Sequence, residues 1–230
     1  MIDLYALTSP NVQKIYIMLE ECGLPYKEHF VDVWKGDQYA PEFSKVSPNN
    51  KIPVIVDHDG PGGKPYTVIE SGAILMYLGG KTGRYFPSQL RARCECVQWL
   101  FWQMAGLGPM AGQNHHFNAY AIDPIPYAID RYVNETGRLY AVLDRQLRRR
   151  EFIVDTYSIA DIACYPWIQP ERQKQNIDDF PDLKRWRESI AARPATQRAY
   201  AIAKTINVKP AISDEESRKI LFGQGRHTVR

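Results

Sequence analysis

Thr8-Ser9-Pro10-Asn11 separates an apolar run, Ile2 to Leu7, from a stretch of helical periodicity. A helix N-terminus stabilises a nearby thiolate through its dipole and unpaired N–H groups. Asn11 can donate to sulfur through its amide and Ser9 through its hydroxyl, with Thr8 an alternative one place earlier. The same residues can simply cap the helix, and one residue can do both. No cysteine lies in this segment, so a reaction needing a protein thiolate lacks its nucleophile here, and the sulfur must arrive with a ligand. A second stretch is Ser47-Pro48-Asn49-Asn50-Lys51-Ile52-Pro53, succeeded at once by Val54-Ile55-Val56. A proline at a strand entry leaves the ladder open there, and a cis Ile52–Pro53 bond is expected, since such bonds occur in purposeful tight turns. The neighbouring backbone, at Ile52, can then pair with an extended peptide-like ligand. Lys51 offers a cation for a carboxylate, although an exposed loop lysine is unremarkable by itself. Glu70-Ser71 is the third element: the acid can take an ammonium, while Ser71 opens a helix whose N–H groups suit a carboxylate.

Positioning these groups requires a scaffold. At 230 residues and 44% hydrophobic content, the chain is long enough for two domains with a sizeable core. The net charge of +3 mixes both signs and does not call for nucleic acid. The basic run Arg148-Arg149-Arg150, with Arg145 before it, reads as a helix C-terminus favoured by the dipole. No stretch approaches the roughly 20 apolar residues of a membrane span. Met1-Ile2-Asp3-Leu4 lacks a signal peptide's basic start and apolar core, so the expected location is the cytoplasm. Cys22, Cys94, Cys96 and Cys164 form no C-x-x-C pair; Cys22 and Cys164 read as buried small hydrophobes, and Cys94 and Cys96 lie on different helix faces. His115-His116 are adjacent rather than four apart, without cysteine nearby, so no metal site is expected.

Ile2 to Leu7 reads as a strand, and from Asn11 a helix places Val12, Ile15, Tyr16, Leu19 and Cys22 on one face, with Gly23 and Pro25 ending it. Tyr26 to Val33 is a second strand, Trp34 to Phe43 a polar loop, Val54 to Val56 a third strand and Tyr66 to Ile69 a fourth, before the apolar helix from Ser71. This βαβ-ββα order suits a parallel crossover and then a hairpin. Gly79 to Gly83 ends the helix. Afterwards the pattern is helical: Leu90 to Gln103, a Gly/Pro/Asn block from Gly106 to Asn114, a long helix from Pro124 to Arg150, a capping box at Ser158 and Asp161, and a helix from Leu183 to Ala192. The expected domains are an α/β unit over 1–83, a linker over 84–90, an all-α unit over 91–208 and a polar tail over 209–230, in which Ile220-Leu221-Phe222 can dock but for which disorder is the default.

A small βαβ-ββα domain ahead of a helical one, with proline at the third strand and Glu70-Ser71 after the fourth, resembles a glutathione transferase, whose first domain is thioredoxin-like. Further blocks are Met1 to Tyr5, Glu42-Phe43 through Pro53, Glu70 to Leu75, Gln98 to Gln103, Gly108-Pro109-Met110, Gly112 to Phe117 and Tyr157 to Ala163. Together, over residues 1 to about 200, they resemble the Nu-class bacterial members, associated with glutathione-dependent disulfide reduction. That resemblance implies a cytoplasmic homodimer, one or two glutathione molecules or one glutathione disulfide as cosubstrate, and no metal.

It also implies roles. Asn11 and Ser9 hold the sulfur, Ser9 standing where the class has threonine. Thr8, Lys51, Ile52, Pro53, Glu70 and Ser71 hold the first glutathione, and Glu70-Ser71 takes its γ-glutamyl end. For a second glutathione, Gln38 matches a binding position of the family and Arg131 its arginine that reaches a carboxylate, and Gln103 is a further candidate; Arg131 can equally be an i, i+4 partner of Tyr127 or Glu135. Tyr5 lies inside the first strand and reads as structural. The leading expectation is a disulfide reductase acting on a small-molecule disulfide. The alternatives are a conventional transferase or peroxidase, acting on an electrophile or hydroperoxide, and a non-catalytic binding module.

Overall fold

The computed structural model describes residues 1–206 and 215–228. The chain divides into two compact units, Met1–Leu78 with the described part of Arg198–Arg230, and Gly79–Gln197.

The first unit is built on β1 (Ile2–Ala6), α1 (Pro10–Cys22), β2 (Tyr26–Phe30), α2 (Pro41–Val46), β3 (Val54–Asp57), β4 (Tyr66–Ile69) and the start of α3 (Ser71–Thr82). The sheet order is β2-β1-β3-β4. β1 and β2 are parallel, while β1–β3 and β3–β4 are antiparallel. The thioredoxin-like reading of the N-terminal half therefore holds. Leu4, Val54 and Ile55 of the sheet, Ile15 and Leu19 of α1, and Ile74, Leu75 and Leu78 of α3 are all fully buried. Pro10 occupies the first turn of α1, where its missing N–H is not needed. Gly23 ends α1 at φ 65°, a left-handed conformation that glycine adopts without steric cost.

Two expectations are corrected in this unit. The segment from Trp34 to Phe43 is not a plain loop: it holds a 3-10 turn at Asp37–Tyr39 and the first residues of α2. Asp32 and Asp37 organise it. The Asp37 carboxylate accepts from Asp32 N at 2.9 Å, and the Asp32 carboxylate from Trp34 N at 3.1 Å. Side chain to backbone bonds of this kind give a polar sequence a defined shape. The tail is the second correction. Residues 209–214, 229 and 230 lie outside the described residues, but α10 (Glu215–Phe222) is a helix with acids in its first turn and Lys219 in its last, matching its dipole. Tyr39 Oη donates to Ile220 O at 3.4 Å, and the Ile220 side chain lies against Gly36. A surface more than 180 residues away in sequence orders this stretch, which its composition alone does not show.

The second unit contains α4 (Leu90–Trp102), α5 (Gly108–His115), α6 (Pro126–Leu147), α7 (Ile159–Cys164) and α8 (Pro181–Ala191), and α9 (Pro194–Thr205) comes after them. The Gly/Pro/Asn block is helical: π turns at Gln103–Leu107 and His116–Tyr120 flank α5. Gly108 is needed there because a Cβ would come within 2.7 Å of the Gln103 side-chain nitrogen and 3.2 Å of its backbone oxygen. The expected capping box is present at the start of α7, made by Ser158 and Asp161. Among the described residues no helix is long and apolar enough to cross a membrane.

Candidate functional site

The strand register gathers the sequence-separated stretches. Tyr5 pairs with Val54, and Val54 with Ile69. The exit of β1, the entry of β3 and the exit of β4 therefore share one end of the sheet. Thr8 to Asn11, Ile52-Pro53 and Glu70-Ser71 lie within one to five residues of those strand ends. Gln103 and Arg131 belong to the helical unit.

At the start of α1, Ser9 is the N-cap: Val12 N donates to its Oγ at 3.3 Å. Thr8 Oγ1 donates its proton to Ala203 O at 2.7 Å. Of the two candidate hydroxyls, Thr8 is therefore committed to the fold, and Ser9 uses its oxygen as an acceptor while its proton points elsewhere. Asn11, half-buried, is the second residue of the helix.

The Ile52–Pro53 bond is cis, as expected. Ser47 closes the turn that leads to it: its Oγ donates to Lys51 O at 2.9 Å and accepts from Lys51 N at 3.1 Å. Asn50 takes φ 51°, a left-handed conformation its short amide tolerates, and its Oδ1 accepts from Ser44 Oγ at 3.1 Å. The C-terminal segment returns to this loop: Asn50 Nδ2 donates to Thr228 O at 3.3 Å, and Lys51 Nζ donates to Gln224 Oε1. Burial lowers the Lys51 ammonium below the ordinary lysine value. Sequence reasoning missed this contact, and no local signal announces it.

Glu70 has φ 66°, which costs a residue with a Cβ of order 1 kcal/mol. Its carbonyl accepts the first helical bond of α3, from Ile74 N at 2.9 Å. Glu70, not Ser71, is thus the N-cap, its carboxylate is exposed, and Ser71 is buried as the first residue of the helix. Ser71 Oγ accepts from Lys14 Nζ at 3.2 Å, and Lys14 is 0% exposed. Sequence reasoning also missed Lys14. The available signal was that Ile17 and Met18, off the Val12–Leu19 stripe, make α1 apolar on several faces and so bury whatever stands between them.

Gln38 is 1% exposed; its Nε2 donates to Val33 O at 3.1 Å, and its Oε1 has no hydrogen-bond partner among the described residues. Buried polar atoms are nearly always paired, so this acceptor suits a donor brought by a ligand. Tyr5 stacks on His29 with centroids 4.8 Å apart and packs against the cluster of Val31, Phe43 and Val54. Burial, and then the Asp3 charge, push its phenol above the ordinary value, and these contacts make it a packing residue.

In the helical unit Gln103 is buried and its amide lies against Gly108. Arg131 is exposed. Arg138 grips Glu135 with two hydrogen bonds of 2.8 and 2.7 Å, and the Arg131 charge also helps to hold the Glu135 carboxylate below the ordinary value, so its i, i+4 neighbour acts on it. His115 stacks on Trp167 and pairs with Gln173 at 3.1 Å, and burial lowers it to about 4. It is a neutral member of a buried network. Cys96 and Cys164 are buried, Cys22 is only half-buried, and Cys94 is exposed. Among the described residues no group of three or more His, Cys, Asp or Glu side chains could hold a metal ion.

The family described as Glutathione S-transferase, N-terminal domain matches residues 8–81, and its C-terminal counterpart matches residues 128–194. The disulfide-bond oxidoreductase YfcG of Escherichia coli (strain K12) is 50% identical over 220 residues, spanning 94% of this chain and 99% of that protein. This chain belongs to the glutathione S-transferase family. A second relative in this family, the disulfide-bond oxidoreductase YghU of the same organism, is 36% identical over 89% of this chain and 75% of that protein. Among solved glutathione transferases, one from Pseudomonas putida, with one glutathione disulfide bound per subunit, superposes with a TM-score of 0.84 at 44% identity, covering 87% of this chain and 91% of that one. Another, from Burkholderia graminis, has two glutathione molecules bound per subunit; its TM-score is 0.82 at 45% identity, with 86% of each chain covered. The glutathione transferase fold read from the residue blocks is therefore shown.

Proposed function

We propose that this protein is a glutathione-dependent disulfide-bond reductase of the Nu class. The observation that carries this reading is the gathering of Ser9 and Asn11, Ile52, and Glu70-Ser71 at one end of the sheet, in a chain whose α1 N-terminus holds no cysteine. Glutathione supplies the nucleophile. Its thiolate lies at the start of α1, held by the Asn11 amide and the Ser9 hydroxyl; the commitment of Thr8 to Ala203 favours Ser9 for this part. Its cysteinyl backbone pairs with Ile52, beside Pro53. Glu70 takes the γ-glutamyl ammonium, Ser71 the γ-glutamyl carboxylate and Lys51 the glycyl carboxylate. The unpaired Oε1 of Gln38 accepts from the ligand. Arg131 is the candidate cation for a further carboxylate, through a bidentate pair.

The reaction runs through two exchanges. The bound thiolate attacks one sulfur of the substrate disulfide, forming a mixed disulfide and releasing one thiolate, which takes a proton. A second glutathione thiolate attacks the glutathione sulfur of that mixed disulfide, giving glutathione disulfide and the second thiol. Two glutathione molecules are oxidised and one disulfide is reduced. The names of the two Escherichia coli relatives and the ligands of the two solved transferases support this balance. The blocks shared with the class support a cytoplasmic homodimer, checked by light scattering of the purified protein.

Side-by-side assays with 2-hydroxyethyl disulfide, an electrophile such as 1-chloro-2,4-dinitrobenzene, and cumene hydroperoxide test the reading. The disulfide is expected to give the highest kcat/KM by at least tenfold. A preference for the electrophile or the hydroperoxide would replace it with the corresponding transferase or peroxidase, and binding without turnover of any would leave a binding module. The tail supplies one further expected outcome. Gln224→Ala removes the acceptor that competes for Lys51, so the glutathione KM should fall up to about fivefold, the worth of one exposed hydrogen bond; an unchanged KM would mean that Lys51 does not meet the ligand.

A further inference from the structure

The second unit contains a cavity of about 370 Å3 where the end of α3, the segment 83–88 and the start of α4 meet. All of its lining residues fall between Gly79 and Tyr157, and none of them belongs to the candidate glutathione site. Its walls include the rings of Tyr85, Phe86 and Tyr157, with Tyr85 and Tyr157 edge to face at 5.5 Å. Its polar side chains are Ser88, Arg93 and Thr156. The volume falls within the range of pockets that take small organic ligands.

Arg93 is held in place without being neutralised. Its guanidinium lies 4.3 Å over the Phe86 ring. Such stacking uses the face of the guanidinium plane and leaves the in-plane N–H donors available. Among the described residues the Arg93 side chain has no carboxylate or hydrogen-bond partner, and neither have the hydroxyls of Ser88 and Thr156. No acid lines the cavity among the described residues. Asp155, exposed beside Thr156, is not one of the lining residues, and Glu95 is bonded to Arg150 at 2.9 Å. Two further guanidinium groups add positive potential from behind the walls: Arg84 stands 5.0 Å from the centre of the Tyr85 ring and Arg193 3.8 Å from that of Tyr157.

The glycines of the cavity give an independent sign. Packing requires Gly79, because a Cβ there would come within 2.6 Å of Phe86 Cβ, and Gly83 has φ 67°. Gly80 has neither reason. It lies inside α3, outside the left-handed region, and a Cβ there would meet nothing within 4 Å. Glycine in a helix costs stability relative to alanine. What this one provides is space: it leaves the α3 wall bare, so that a ligand can approach the backbone.

We propose that this cavity binds a phosphate monoester with a flat apolar body. The Arg93 fork takes two phosphoryl oxygens, the Ser88 and Thr156 hydroxyls donate to the phosphoryl group, and the body lies between the aromatic rings and the bare backbone at Gly80. A free phosphate ion would leave the aromatic walls without a part in binding. The site is separate from the one proposed for glutathione and does not depend on the reaction assigned there.

Titration calorimetry of the full chain with phenyl phosphate, in saturating glutathione, tests this. Binding is expected with a Kd of order 1 mM or tighter, the range open to a ligand of this size. Inorganic phosphate and phenol, which carry one half of the ligand each, should bind at least about tenfold more weakly. Arg93→Gln should weaken phenyl phosphate about tenfold or more, the scale of a charge-assisted hydrogen bond, and Arg93→Lys should retain more affinity than Arg93→Gln. Gly80→Leu places a side chain in open space and should abolish binding while leaving thermal melting unchanged or raised. Four results would each overturn the proposal: no saturable binding, displacement of phenyl phosphate by glutathione, wild-type affinity in folded Arg93→Gln or Gly80→Leu, or equal affinity for inorganic phosphate or phenol. If Gly80→Leu does not fold, the two Arg93 variants and the ligand series decide.

Discussion

Asn11→Ala is expected to lower kcat/KM for the glutathione-dependent reduction of 2-hydroxyethyl disulfide by about tenfold to a hundredfold, the usual scale for removing one donor from a developing or resident anion. A donor to sulfur stabilises the thiolate over the thiol, so its loss raises the thiol pKa of bound glutathione. The rise of kcat/KM with pH should accordingly move to higher pH by about one unit, the equivalent of about 1.4 kcal/mol. Steady-state rates between pH 5 and 9, for wild type and variant, check both effects. A uniform loss with no displacement of the profile would remove Asn11 from the sulfur and leave it a role in packing α1. Ser9→Ala should displace the profile in the same direction but also lose the cap on Val12 N, worth about 1 kcal/mol. Its effect on melting separates it from Asn11→Ala, which removes no cap.

The second large effect concerns the fold of the helical unit. Asp161 is fully buried, and four groups donate to its carboxylate: Ile153 N at 2.9 Å and Trp186 Nε1 at 2.8 Å to Oδ1, and Ser158 N at 3.0 Å and Ser158 Oγ at 3.1 Å to Oδ2. Asp161→Asn keeps the volume and replaces one oxygen with an NH2 group. Either orientation of the amide sets donors against donors, at Ile153 and Trp186 or at Ser158. Leaving two buried donors unsatisfied costs about 2–4 kcal/mol, which for a chain of this size lowers Tm by roughly 5–15 °C. Differential scanning calorimetry checks this, and a loss below about 2 °C would show that the site rearranges at little cost. Ser158→Ala should be milder, since Asp161 keeps its bonds from Ser158 N, Ile153 and Trp186.

Legibility differs between the two sites. The capping box could be read directly because its partners, Ser158 and Asp161, stand three residues apart and one helical turn brings them together. Its other donors, Ile153 N and Trp186 Nε1, depend on packing between elements and left no mark nearby. The candidate glutathione site was legible as three stretches for a similar reason: Ser9-Pro10-Asn11, Ile52-Pro53 and Glu70-Ser71 each carry a local backbone instruction, namely a cap, a proline turn and a helix start. What each side chain does with its hydrogen bonds was not legible. Thr8 and Ser9 are equivalent as written, and only the carbonyl of Ala203, 195 residues on, commits one of them. Lys14 looks like an ordinary helix lysine until α3 supplies Ser71 and the core closes over it. Gln224 looks like tail until it meets Lys51.

The chain by itself determined the element order of its N-terminal half, the helical character of its C-terminal half, the absence of a cysteine at the start of α1, and the residues Asn11, Lys51, Glu70 and Ser71 as groups suited to a peptide-like anionic thiol. These rest on periodicity, turn chemistry and side-chain type, all of which act over a few residues. The tertiary structure decided which of those groups share an end of the sheet, that Glu70 rather than Ser71 caps α3, that Thr8 is committed to Ala203 while the Ser9 proton points elsewhere, and that a buried lysine stands behind Ser71. Each of these depends on strand register, on burial, or on a hydrogen bond between residues far apart in sequence. Such contacts form only when non-local packing brings the partners together, so no local pattern records them.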